Sequence, residues 1–135
     1  MQDLWVAAAN RLSELFHSLD SGDYDTLTAC FAENGTWARQ GKTLKGRNEI
    51  RATLASRSTT LKTIHIASNI LVGHSPANAG TFRFYLTVYR HDSAAPPPYP
   101  VPVPAAVGLC KAEFENDGKE WRIKSLETGP YVFAN

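Results

Sequence analysis

The segments TIHIASNILV (residues 63–72) and TFRFYLTVYR (residues 81–90) decide the fold. Both are rich in β-branched and aromatic residues and lack helical spacing, so they read as strands whose successive side chains point to opposite sides. In the first, Ile64, Ile66, Ser68, Ile70 and Val72 make a dry face, while Thr63, His65, Ala67, Asn69 and Leu71 make a mixed one. In the second, Phe82, Phe84, Leu86 and Val88 alternate with Arg83, Tyr85, Thr87 and Tyr89. Neither strand has a purely charged face, so both sides of the sheet are expected to be covered, one by helices and the other by a second copy of the chain. A homodimer through the sheet face is the resulting expectation.

Working outward, strands are expected near 61–73, 79–91, 103–116 and 119–129, with turns at Ser75-Pro76 and Asn116-Asp117-Gly118. The segment Pro96-Pro97-Pro98-Tyr99-Pro100-Val101-Pro102-Val103-Pro104 lacks six backbone donors in nine residues, so it reads as extended loop or edge. A ligand for a PxxP-binding domain is the other reading of it. Upstream, Leu4, Trp5, Ala8, Leu12, Leu15, Phe16 and Leu19 recur at helical spacing, predicting an amphipathic helix over 3–19 that Gly22 ends. Asp23 is a good N-cap for a short second helix through Tyr24, Leu27, Cys30 and Phe31. Asn34-Gly35 then turns into a strand around Thr36 and Trp37, residues 41–46 read as a basic loop, and 47–57 read as a third helix with Ile50 and Leu54 on one face. Helices first and then a meander is the α+β pattern, with three helices packed on a curved antiparallel sheet.

The 135 residues are expected to form one domain, and 43% hydrophobic with 20% charged residues suffices for a real core. The formal charge of +1 gives no long-range field for nucleic acid or an acidic membrane. Cys30 and Cys110 have no metal-ligand or CxxC spacing and read as buried small hydrophobes, so neither a disulfide framework nor a metal site is expected. The first nineteen residues carry Asp3, Asn10, Arg11, Glu14 and His17, which fits neither a signal peptide nor a membrane span, and a cytoplasmic location is expected.

Gly41-Lys42-Thr43 lacks the upstream glycine of a phosphate-binding loop, Thr36 standing in its place. No nucleophile elbow, HExxH or dinucleotide fingerprint is present. The remaining candidates are Asp20, His65, Asn69 and Arg90. Asp20 falls at the C-terminal end of the first helix, where the dipole disfavours a carboxylate, so a nearby cation or donor is expected unless the residue is simply solvated. His65 is either a hydrogen-bonded core histidine or, with Asp20 in reach, a general acid/base. Asn69 shares its face and could bind a carbonyl or hydroxyl. Arg90, on the even-numbered row, is expected to face away from His65 unless a bulge intervenes. Tyr24, Trp37 and Tyr85 are candidate walls of a pocket.

Three stretches carry a family resemblance: Leu19 through Leu27 (LDSGDYDTL), Cys30 through Trp37 (CFAENGTW), and Gly46 through Arg51 (GRNEIR). They resemble the SnoaL-like group of the nuclear-transport-factor-2-like superfamily. Thr63 through Asn69 and Tyr85 through Arg90 are similar to segments of ring-hydroxylating dioxygenase small subunits. The resemblance implies a cystatin-like roll with a cone-shaped pocket. Scytalone dehydratase is the most informative relative: its catalytic aspartate and one histidine fall on Asp20 and His65. Its two water-binding tyrosines fall near Leu19 and Arg39, and its second histidine near Arg90 or His91, so the chain departs from it there. The general base and oxyanion tyrosine of ketosteroid isomerase fall near Arg39 and Leu15. The resemblance therefore implies a cofactor-free lyase or isomerase for a mostly apolar, oxygenated small molecule, with His65 and Asp20 catalytic and Asn69, Tyr24, Trp37, Tyr85 and Arg90 binding substrate. A ligand-binding domain without turnover, or a structural subunit of a larger oxygenase-type assembly, are the alternatives.

Overall fold

The computed structural model describes residues 4–73, 77–100 and 103–135. Asp3, the expected turn at Ser75-Pro76, His74, and Val101-Pro102 of the proline-rich segment lie outside the described residues.

Three helices, α1 (Leu4–Ser21), α2 (Tyr24–Ala29) and α3 (Gly46–Ala55), accompany six strands. The strands are β1 (Phe31–Arg39), β2 (Lys42–Lys45), β3 (Leu61–Val72), β4 (Ala79–Asp92), β5 (Ala106–Asn116) and β6 (Trp121–Ala134). They form one sheet in the order β2-β1-β6-β5-β4-β3, antiparallel throughout except for the parallel pair of β1 and β6. This is the expected α+β class.

Local chemistry explains the helix ends. Gly22 adopts φ +77°, the left-handed conformation that stops α1, and the Asp23 N–H donates to the Ser18 carbonyl at 2.9 Å. Asp23 caps α2 as expected, its carboxylate accepting from the Thr26 N–H at 3.2 Å and the Thr26 hydroxyl at 2.6 Å.

The expected basic loop at 41–46 is instead a strand, β2. Gln40 (φ +50°) and Gly41 (φ +77°) are both left-handed, which makes the two-residue hairpin turn that pairs Arg39 with Lys42. Leu44 then points into the core, 4% exposed. Other boundaries also differ from expectation: α2 stops at Ala29, and β1 begins at Phe31 and runs through Asn34-Gly35, where an irregularity in its pairing with β6 takes the place of the expected turn. α3 stops at Ala55, leaving Arg57 in the connection, and β6 runs on past residue 129, pairing with β5 as far as Ala106 and Ala134. β5 itself starts at Ala106, and Val103 and Pro104 have no regular structure.

The core lies between the helices and one face of the sheet. Leu12, Leu15, Phe16 and Leu19 of α1, Leu27 of α2, and Ile50 and Leu54 of α3 pack with Phe82, Phe84, Leu86 and Phe114. The even row of β4 is thus the inner one. In β3 the dry row is the outer one: Ile64 and Ile66 are exposed, whereas Thr63 is buried and His65 and Ala67 are half-buried. A bulge between Ser68 and Leu71, with Asn69 at φ +53°, reverses the alternation so that Ile70 packs against the core. Further register shifts in the pairing of β5 with β6 add to the sheet's curvature. No helix among the described residues is long and apolar enough to cross a membrane.

Both cysteines are buried. Burial, reinforced by the Glu14 carboxylate that accepts the S–H at 3.2 Å, pushes the Cys30 thiol up to about 12, and burial pushes Cys110 up to about 11. Near pH ~8 the folded protein should therefore not react with Ellman's reagent, whereas the denatured chain, its thiols back at ~8.5, should react at both sites. Rapid labelling of the native protein would show that the packing over Cys30 or Cys110 is looser than described.

Candidate functional site

α1 delivers Asp20 to the inner side of the edge strand β3. A carboxylate in the last turn of a helix opposes the dipole, and three donors from β3 offset this. The His65 backbone N–H donates to Oδ2 at 2.9 Å, the Thr63 hydroxyl donates to Oδ1 at 2.8 Å, and His65 Nδ1 lies 2.6 Å from Oδ1. With a carboxylate on Nδ1, the neutral ring holds its proton there, and Nε2 carries the lone pair. The Phe16 ring stacks on the imidazole, with centroids 5.6 Å apart and planes inclined by 12°. The His65 side chain is therefore fixed on both its edge and its face.

His65 lines a cavity of about 600 Å³ between α3, the β1–β2 hairpin and the far ends of β3, β4 and β6. This volume suits a small organic molecule. Leu44, Leu61, Val88 and Ala106 supply apolar wall, while Arg39, Arg57 and Arg90 bring guanidinium groups to it. Arg57 donates to the Leu19 carbonyl at 3.2 Å and to the Thr63 hydroxyl at 3.4 Å, which links it to the Asp20 cluster. Among the described residues, no group of three His, Cys, Asp or Glu side chains could hold a metal ion.

Of the residues expected at a site, Asp20, His65 and Arg90 come together. Arg90 corrects the expectation that it faces away. The register pairs Thr63 with Arg90 and His65 with Val88, and directly opposed residues share a face, so Arg90 is on the same side as His65 without a bulge between them. Number parity holds within one strand and does not transfer to its neighbour.

The other four expected binding residues lie elsewhere. Asn69 sits exposed at the β3 bulge, because its left-handed φ breaks the alternation that would have kept it in line with His65. Tyr85 is 48% exposed on the outer face. Trp37 is core, stacked on Phe31, its indole N–H donating to the Thr128 hydroxyl at 3.0 Å. Tyr24 lines a neighbouring recess with Asp20 and Arg57 rather than the cavity itself. Arg39, Arg57 and Tyr131 are among the cavity residues that were not foreseen. Arg39 had a usable signal: two residues from buried Trp37 on β1, it must share the inner face. Arg57 and Tyr131 had none, since both lie where an expected element boundary was misplaced.

The architecture is a cystatin-like roll. The chain is similar in structure to ActVI-ORFA from Streptomyces coelicolor, with TM-score 0.80 and 15% identity over 96% of this chain and 97% of that one. It is also similar to a scytalone dehydratase-like protein from Novosphingobium aromaticivorans, with TM-score 0.77 and 16% identity over 96% and 84% of the respective chains. A type 2 hexachlorocyclohexane dehydrochlorinase (LinA) is a further neighbour, with TM-score 0.77 and 13% identity over 95% and 84%. At these identities the likeness establishes the fold alone. No curated protein matches the sequence. The SnoaL-like domain family, however, matches residues 6–127, nearly the whole length over which the helices and the sheet build the cavity, and the chain therefore belongs to the SnoaL-like family of the nuclear-transport-factor-2-like superfamily.

Proposed function

We propose that the protein is a cofactor-independent lyase or isomerase in which His65 is the general acid/base and Asp20 orients it. The observation that carries this reading is the 2.6 Å contact between His65 Nδ1 and Asp20 Oδ1 at the wall of a cavity large enough for substrate. Nε2 takes a proton from a carbon next to a substrate carbonyl, and the Asp20 carboxylate stabilises the imidazolium that results. The proton is then returned to another atom of the enolate, which is isomerisation, or to a departing hydroxyl, which is elimination of water. Dehydratase-like and dehydrochlorinase neighbours of the same fold agree with this class of chemistry.

The hydrogen bond itself is open to proton NMR. The His65 Nδ1 proton should give a slowly exchanging resonance far downfield in the wild type that disappears in Asp20→Asn. Persistence of that resonance in the variant would mean that Asp20 does not hold the ring.

Proton abstraction is tested by following exchange of the C1 hydrogens of 2-tetralone in D2O. The wild type should exceed buffer, His65→Gln should lose about 10²-fold or more of the enzymatic rate, and Asp20→Asn should lose less. Exchange that is unchanged in His65→Gln would sink the assignment, and so would a panel of cyclic ketones that never exceeds buffer.

The unit that carries the site is proposed to be a homodimer through the outer face of the sheet. Registers place Ile66, Thr87, Val107 and Phe133 in one row across four strands, and Ser68, Tyr85 and Leu109 in the next. Ile66 and Phe133 are 46% and 68% exposed, an apolar face of the kind that associates. Ile66→Glu should shift sedimentation from dimer to monomer while leaving the far-ultraviolet circular dichroism unchanged. A monomeric wild type would refute this assembly.

A further inference from the structure

The cavity beside His65 is electrically one-sided. Arg39, Lys42, Arg57 and Arg90 line it against one acidic side chain, Asp92, which the Ser58 and Thr60 hydroxyls engage at the rim. None of these four cations forms an ion pair among the described residues. The excess is specific to the site, since the whole chain has a formal charge of only +1.

Arg39 is the informative member. Its guanidinium lies over the Trp37 ring, 4.8 Å from the centroid, which offsets part of the cost of burying the charge. Its Nη1 is nonetheless buried and has no hydrogen-bond partner among the described protein groups. Burying a donor on a charged group without a partner is expensive, and native structures rarely do so without a use for it. Burial, and then the like charges of Arg57 and Arg90, hold Arg39 below its ordinary value, so the free protein carries a repulsion that an anion would relieve.

We infer that the molecule turned over at this site is an organic carboxylate, its carboxyl group taken by Arg39 with Arg90 and Arg57 around it, and its carbon skeleton laid along Leu44, Leu61 and Val88 toward His65. The planar guanidinium of Arg39, which lines the cavity and forms no ion pair among the described residues, matches a carboxylate in both geometry and charge. The apolar wall favours a carbon skeleton over a bare inorganic anion. This inference rests on the acid/base reading only for what happens at His65, because binding of the anion is separable from turnover.

The test compares 1-naphthoate with its uncharged analogue 1-naphthamide by isothermal titration calorimetry and by thermal shift at low ionic strength. The wild type should bind naphthoate about tenfold tighter than the amide or more, with a preference that shrinks as salt is added. Naphthoate should also raise the melting temperature more than the amide does. Arg39→Gln should bring the two affinities to within about threefold, and Arg90→Gln, at an exposed strand end, should lower naphthoate affinity on a scaffold whose folding is not at stake. Asp20→Asn should retain the naphthoate preference.

Equal affinity for acid and amide in the wild type, no binding of either, or a preference undiminished in both arginine variants would overturn the inference. Displacement of naphthoate by equimolar inorganic phosphate would overturn it too, since the site would then be a plain anion site. A retained preference with no proton exchange at any ketone would remove the catalytic reading and leave this one standing. Exchange dependent on His65 with no preference for the acid would do the reverse.

Discussion

One carboxylate ties the molecule together where it matters. Asp20 closes the last turn of α1 against the edge strand β3 by accepting the His65 N–H, the Thr63 hydroxyl and the His65 ring nitrogen. The helix dipole at that position disfavours a negative charge, so the three donors are what make the arrangement stable. Because β3 is an edge strand, with β4 on one side only, these bonds also stand in for part of the missing neighbour. The register of β3 on β4 then carries Arg90 to the same cavity.

From that anchor the site divides into two regions of different chemistry. Around His65, the backbone N–H, the ring Nδ1, the Thr63 hydroxyl and both Asp20 oxygens all have partners, and the Phe16 ring that stacks on the imidazole meets Phe84 at 6.2 Å, so the ring is braced by the core itself. Around Arg39 the reverse holds: a guanidinium is brought indoors on the face of Trp37 with Nη1 unpartnered. A group held rigid and satisfied suits a proton carrier whose position must not drift. A group held with unspent hydrogen-bonding capacity suits recognition of something from outside. The two share Arg57, which reaches the Thr63 hydroxyl while lining the cavity.

The outer face of the sheet obeys different constraints. Its row Ile66, Thr87, Val107 and Phe133 runs across β3, β4, β5 and β6, while Gly108, paired with the core residue Leu86, lies on the inner face. A Cβ at Gly108 would lie 2.8 Å from the Tyr131 ring, so glycine there lets β6 approach and sets the position of a residue that lines the cavity.

Helix α1, the Asp23 cap, the even row of β4 and the α+β class were legible from the sequence because each depends on local periodicity or on a side chain bonding its own backbone. Asp20 and His65 were legible as candidates from an ill-placed carboxylate, a lone strand histidine and a family resemblance. Their contact spans 45 residues and could be read only from the folded chain. The face of Arg90 depended on a cross-strand register, Asn69 was displaced by a bulge, and β2 formed because Gln40 joined Gly41 in the left-handed region. The sequence by itself determined the elements and which residues had the chemistry to act. Tertiary structure alone decided which of them met, because register, bulges and the burial of Arg39 are set by interactions between strands far apart along the chain.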